Sequence, residues 1–206
     1  MSLKRLASTL VALSLLSQGT VATARADAAG SPTEVIAAFH QTLLAVMKDA
    51  TKLGYQGRYK LLEPAIDKTF DLPLMTRIVV GSPWNDWTEA QRQDVIAAFS
   101  RFVVSTYARR FDGYSGESFK FDEARPAANG TLVKTEVIRP HDTPVTLTYL
   151  VEGDGDAPSQ VIDVFLTGTI SELATRRSEF GAILRHDGYD GLLKVLAEKS
   201  DENQPP

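Results

Sequence analysis

Apolar positions along the chain follow two regimes that meet near Gly113. Before Gly113 they recur at three- and four-residue spacing, the signature of amphipathic helices; after it they alternate in twos, as in half-covered strands. The first helix is announced by Ser31-Pro32-Thr33-Glu34, a capping box with proline at the first helical position. Val35, Ile36, Phe39, Leu43, Val46 and Met47 then share a stripe, which Gly54-Tyr55-Gln56-Gly57 breaks. A shorter helix carries Tyr59, Leu62 and Ile66, with Pro64 limiting its regularity. The stretch "FDLPLMTRIVVG", residues 70–81, predicts another short helix, stopped by Gly81 and Pro83. A second capping box, Thr88-Glu89-Ala90-Gln91, opens a long helix. Val95, Ile96, Phe99, Phe102, Val103, Thr106 and Tyr107 run along it out to about Phe111.

Four strands are expected at 118–123, 131–139, 145–152 and 161–167, separated by the turn signals "PAANG", "PHDTP" and "GDGDAP". Val133, Thr135 and Val137 alternate with Lys134 and Glu136, and Val145, Leu147, Tyr149 and Val151 with Thr146 and Thr148. Such alternation describes an antiparallel sheet with one covered face. Helices first, then a meander of strands, then helix is the order of an α+β fold: a curved sheet with helices packed over one face.

After the last strand, Thr169-Ile170-Ser171-Glu172 reads as a third capping box. At about 100° per residue, Ile170, Leu173, Ala174, Gly181 and Leu184 share one helical face, with Phe180 at its edge. Arg177 falls in the middle of that face, and Arg176 and Glu179 point elsewhere. Gly188 breaks the helix before a short final one with Leu192, Leu193, Val195 and Leu196. Asp163 interrupts the apolar strand just before this helix. A charge buried alone is costly, so Asp163 and Arg177 are expected to pair across the turn, with Arg177 alternatively holding an anionic head group.

Composition changes the picture at the ends of the chain. Residues 1–26 hold Lys4 and Arg5, a mostly apolar run from Leu6 to Leu16, and small residues ending Ala24-Arg25-Ala26. That is the pattern of a cleaved secretory signal, and the apolar run is shorter than the ~20 residues of a spanning helix. One domain is expected over 27–200, followed by a polar tail at 201–206. Removing residues 1–26 takes three of 22 basic residues and no acid, leaving 19 against 26 and a net charge of −7. So acidic a chain is a poor ligand for nucleic acid. With no cysteine there is neither a disulfide nor a thiolate metal site nor thiol catalysis.

Candidate chemistry is sparse. His40, His141 and His186 show no metal-ligand spacing, and no serine sits in a nucleophile elbow. No catalytic residue, metal or cofactor is expected.

Two blocks carry a resemblance. "DVFLTGTISELATRRSEFGAILRHDGYDGLL" resembles the C-terminal signature of the MlaC / toluene-tolerance family, on Asp163, Val164, Gly168, Ser171, Arg177, Phe180, Gly188, Leu192 and Leu193. "FDLPLMTRIVVGSPWNDWTEAQRQDVIAAFSRFVVSTY" is similar to a second family block, on Phe70, Asp71, Gly81, Trp84, Thr88, Gln91, Arg92, Phe99 and Tyr107. The wording "GTISELATRRSEF" looks most like the hopanoid-associated HpnM branch. The resemblance implies a nuclear-transport-factor-like fold with an apolar pocket between sheet and helices. It implies a periplasmic carrier, with a bound lipid and no cofactor, that moves a phospholipid or hopanoid-like lipid between inner and outer membranes. An inner-membrane lipid transporter would be its partner, an outer-membrane complex an optional second one, and the protein itself a monomer. Pocket candidates are Phe70, Leu74 and Ile78 on the short helix and Phe99, Phe102, Val103 and Tyr107 on the long one. The sheet adds Val133, Val137, Leu147 and Tyr149, and Ile170 sits where the family's pocket opens. Two other readings stay open: an enzyme of the same cone-shaped architecture, and a periplasmic adaptor with a filled core.

Overall fold

The computed structural model describes residues 30–153 and 158–204. The signal segment 1–26, residues 154–157 of the third turn and the last two residues of the tail lie outside the described residues.

Capping residues fix where the helices start. Helix α1 spans Pro32–Lys48, and the Ser31 hydroxyl accepts from the Glu34 amide while Glu34 accepts from the Ser31 amide at 2.7 Å. Helix α2, Ala50–Thr69, follows after one residue and is kinked at Gly54, whose φ of 58° and ψ of −175° are not helical. The break expected at Gly54–Gly57 is thus a kink inside α2, because the first stripe already ends at Asp49. Helix α3, Leu72–Val80, is capped by Asp71, whose Oδ1 accepts from the Leu74 amide at 2.9 Å. Phe70 is therefore not on the short helix. It is an extended residue between α2 and α3, bridged to Val161. A 3-10 turn at Ser82–Asp86 leads to α4, Glu89–Arg110, opened by the Thr88/Gln91 capping box.

Five strands follow: β1 Ser118–Ala127, β2 Gly130–Ile138, β3 Val145–Glu152, β4 Gln160–Leu166 and β5 Ile170–Ser171. They form one antiparallel sheet in the order β1-β2-β3-β4-β5, with register shifts at Phe121/Glu123 and Leu150/Val151. Such irregularities bend a sheet. Cross-strand pairing puts Val133 opposite Tyr149, Thr135 opposite Leu147 and Val137 opposite Val145. Leu147 and Tyr149 in turn face Leu166 and Val164 on β4. These residues share one face, and the helices cover it.

The fifth strand was not expected, and it moves the start of the last helix. Thr167 and Gly168 have φ of 51° and 82°, and the Thr169 amide donates to the Leu166 carbonyl at 3.2 Å. Two residues at positive φ make a tight hairpin turn. It returns the chain along β4, so the backbone stays extended through Ser171. The capping residue is accordingly Ser171, not Thr169, and α5 runs Glu172–Glu202.

Helix α5 is kinked at Gly188, with φ 65° and ψ −155°. Lys199 lies 2.8 Å from Glu179 across the kink. Twenty residues of straight helix would part them by about 30 Å, so the two halves fold back on each other. Both lie against α4. Phe180 meets Phe102 edge-on in the first half. In the second, Tyr189 donates to Asp94 and Asn203 to Ser105. The core between sheet and helices is filled by side chains such as Leu43, Leu62, Ile66, Phe180 and Leu196.

Candidate functional site: an apolar cavity with a charged rim

Between the covered face of the sheet and the helices lies a cavity of about 390 Å³, within the ~300–1,000 Å³ common for small-ligand sites. The sheet supplies Val137, Val145, Leu147, Tyr149, Val164 and Leu166. Helix α4 supplies Phe99, Phe102, Val103, Thr106, Tyr107 and Arg110, with Phe111 just beyond it. Phe70 and Met75 come from the α2–α3 region. Glu172, Leu173 and Arg176 come from the first turns of α5, and Arg139 directly follows β2. The lining is overwhelmingly hydrocarbon and aromatic, with Arg110, Arg139, Arg176 and Glu172 as its charged members.

Eight residues named from sequence meet here: Phe70, Phe99, Phe102, Val103, Tyr107, Val137, Leu147 and Tyr149. Four do not. Leu74 and Ile78 line a separate surface depression with Arg77, Asn85 and Arg177, because α3 turns Leu72, Met75 and Val79 inward instead. Val133 is fully buried core. Ile170 is 54% exposed on the edge strand, which no further strand covers among the described residues. Sequence reasoning missed Met75, Arg110, Arg139, Val145, Val164 and Leu166, among others. Helical spacing from Val103 through Tyr107 reaches Arg110, and period two from Val137 reaches Arg139, so both had a signal.

Asp163 and Arg177 do not pair. Asp163 is 8% exposed, and its carboxylate accepts three hydrogen bonds. Oδ1 takes the amides of Val164 (2.7 Å) and Leu173 (3.1 Å), and Oδ2 takes the Ser171 hydroxyl (2.6 Å). The partner that satisfies this buried charge is the N-terminus of α5, where free amides and the helix dipole favour an anion. Arg177 is exposed and lies beside Gly81, at the end of α3. The expected face of α5 was centred one residue off. Leu173 and Phe180 are its buried positions, which brings Arg176 to the cavity and turns Arg177 out.

At the rim, Arg176 is held by Glu179 at 2.9 Å and Glu172 at 3.5 Å, with its guanidinium carbon 5.2 Å from the Phe102 ring centre. Partial burial pushes the Glu179 carboxyl up, but hydrogen bonds from Lys199 and Arg176 outweigh this and hold it below its ordinary value.

On the sheet, the Tyr149 hydroxyl and His40 Nε2 are 2.9 Å apart. His40 stacks on Phe119 with ring centres 4.0 Å apart. Burial pushes the imidazole down to about 4, so it is neutral at neutral pH. Burial also raises the hydroxyls of Tyr107 and Tyr149, which stay protonated. His40 itself is not a lining residue. Among the described residues no group of three or more His, Asp or Glu could hold a metal ion, and no helix is long and apolar enough to cross a membrane.

The site is an apolar cavity between an open antiparallel sheet and the helices that cover it. The family profile described as "MlaC protein" matches residues 37–198, and the chain belongs to that family. The fold is also that of a phospholipid-binding protein from Ralstonia solanacearum, solved in complex with a phospholipid. The match has a TM-score of 0.73 at 22% identity and covers 84% of this chain and 99% of that one.

Proposed function

We propose that this protein is a periplasmic lipid carrier that seats the acyl chains of a phospholipid in the cavity and leaves the head group at the charged rim. The observation that carries the reading is the cavity of about 390 Å³, walled by hydrocarbon from sheet and helices and charged only at a few positions. Each buried methylene contributes ~0.8 kcal/mol, so an acyl chain has a strong reason to enter. The chain belongs to the MlaC family, for which the sequence resemblance implies a periplasmic lipid carrier, and a solved protein of the same fold holds a phospholipid. Both support the reading over an enzyme, and the open cavity supports it over an adaptor with a filled core.

In this proposal residues 1–26 export the chain and are removed, and the eight cavity residues named above contact the lipid. The carrier exchanges cargo with an inner-membrane transporter and moves it between inner and outer membranes. A hopanoid-like lipid is the competing cargo. The test is to purify the exported form, extract it with organic solvent and identify lipid by mass spectrometry, then measure uptake from phospholipid vesicles. A diacyl phospholipid in the extract is the expected result. Finding no lipid and no uptake would sink the proposal, and a hopanoid in the extract would replace the cargo.

A further inference from the structure

Helices α3 and α5 have an outer face that the cavity does not use. Met75 on α3 and Leu173 and Arg176 on α5 turn towards the cavity. Leu74 and Ile78 on α3 and Leu184 on α5 line two surface depressions instead, of about 370 and 250 Å³. The depressions share Gly81, Ser82 and Arg177, so they adjoin and form one groove along the seam of the two helices. Three arginines line it: Arg77 in one depression, Arg185 in the other and Arg177 in both. All three are exposed, and none makes a hydrogen bond or ion pair among the described residues. Neither lining includes a carboxylate. Gly81 makes room for the central one, since a Cβ there would stand 3.4 Å from Arg177 Nη2. By contrast, Arg92, Arg139 and Arg176 each have a carboxylate partner. Three unpaired guanidinium groups in one concave strip, on a chain of net charge −4, make a local field of the opposite sign.

We infer that this groove docks an acidic, partly apolar peptide segment of a partner protein, with carboxylates on Arg77, Arg177 and Arg185 and aliphatic side chains in the two depressions. The planar donor fork of arginine matches a carboxylate, and charge-assisted bonds of this kind are the strong ones. Leu74, Ile78 and Leu184 supply the apolar walls. Two depressions in tandem suit a length of chain better than a single small anion, and a concave strip does not lie against a flat bilayer. The inference stands apart from the cargo reading, because none of the three arginines lines the cavity. A segment seated here would touch from outside the two helices that bring Met75, Leu173 and Arg176 to the cavity.

The experiment titrates the full exported chain into a short fluorescent peptide of alternating glutamate and leucine, and into its glutamine–leucine counterpart, and reads binding by fluorescence anisotropy. The glutamate peptide should bind about ten-fold or more tightly, the scale of one charge-assisted hydrogen bond, and the preference should shrink as salt is raised. Arg177→Glu/Arg185→Glu should remove the preference. Arg77→Glu alone should lower it and keeps the test valid if the double variant fails to fold. Arg125→Glu, an equal charge reversal at an exposed position of β1, should leave it unchanged. Binding of neither peptide, equal binding of both, or the same loss in Arg125→Glu as in Arg77→Glu overturns the groove. Displacement of the peptide by inorganic phosphate at equal concentration would reassign the arginines to a free anion and overturn it. Phosphatidylglycerol vesicles that bind the chain more tightly than the peptide, and lose it in the same variants, would reassign them to a membrane and overturn it too. Co-purified lipid, measured on the same samples, should not change in the arginine variants, so a failure of the groove and a failure of the carrier reading are told apart.

Discussion

The Ser171 hydroxyl donates to Asp163 Oδ2 at 2.6 Å and accepts from the Ala174 amide at 2.8 Å. One side chain thus caps α5 and ties it to the last long strand. Asp163 completes the junction through the Leu173 amide. Asp163→Ala would leave these buried donors without an acceptor and should cost about 2–4 kcal/mol in urea unfolding. Arg177→Ala should fall within about 0.5 kcal/mol of the parent, as surface changes do. Exchanging the two charges should not rescue Asp163→Arg, and rescue would restore the pair that the structure lacks.

His40 makes stability depend on pH. Its folded value of about 4 lies below the ordinary 6.5, so the unfolded chain binds more protons between the two. The contribution is complete above pH 6.5 and is lost as pH falls from 6.5 towards 4. The shift amounts to roughly 3 kcal/mol. Urea midpoints should drop across that window, and His40→Gln should flatten the drop. His186, raised by its hydrogen bond to Asp187, slopes the opposite way from an exposed position. An unchanged slope in His40→Gln would refute the assignment.

Cargo and core can be separated by substitution. Leu147→Trp fills the cavity from the sheet side and should reduce co-purified lipid by about ten-fold or more. Val133→Ala, in the buried core, should destabilise by about 2 kcal/mol with the same lipid still bound. Mass spectrometry of both purified variants checks the pair. Equal lipid content in Leu147→Trp and the parent would place the cargo elsewhere.

Two glycines of α5 should respond in opposite directions. Gly188 has φ of 65° and ψ of −155°, and nothing lies within 4 Å of a Cβ there. The cost of Gly188→Ala is therefore backbone strain alone, about 1–3 kcal/mol. Gly181 is helical, and a Cβ there would meet only the Arg185 guanidinium at 3.5 Å. Gly181→Ala should stabilise by about 0.5–1 kcal/mol. Thermal unfolding of the two variants reads both.

The sequence made legible what local chemistry decides. Ser31/Glu34 and Thr88/Gln91 cap the helices where expected, and period two in β2 and β3 found the covered face of the sheet. The α4 stripe placed Phe99, Phe102, Val103 and Tyr107 at the cavity. What failed depends on contacts between elements. The phase of α5 is set by Phe180 packing on Phe102, which local spacing does not encode, so Arg177 was preferred to Arg176. The phase of α3 is likewise set by its neighbours, and Leu74 and Ile78 were misplaced. Asp163 looked like half of an ion pair because its partners are mostly backbone amides, which every sequence has and none displays.

The fold-back of α5 divides labour along one helix. Glu172, Leu173 and Arg176, its contributions to the cavity, all precede Gly188. The contacts of Tyr189 with Asp94, Arg109 with the Glu202 carbonyl and Asn203 with Ser105 all follow it. A chain truncated at Gly188 would keep every α5 residue that lines the vessel and lose the buttress that steadies α4, its opposite wall. The vessel and its scaffolding are written on the two sides of a single glycine.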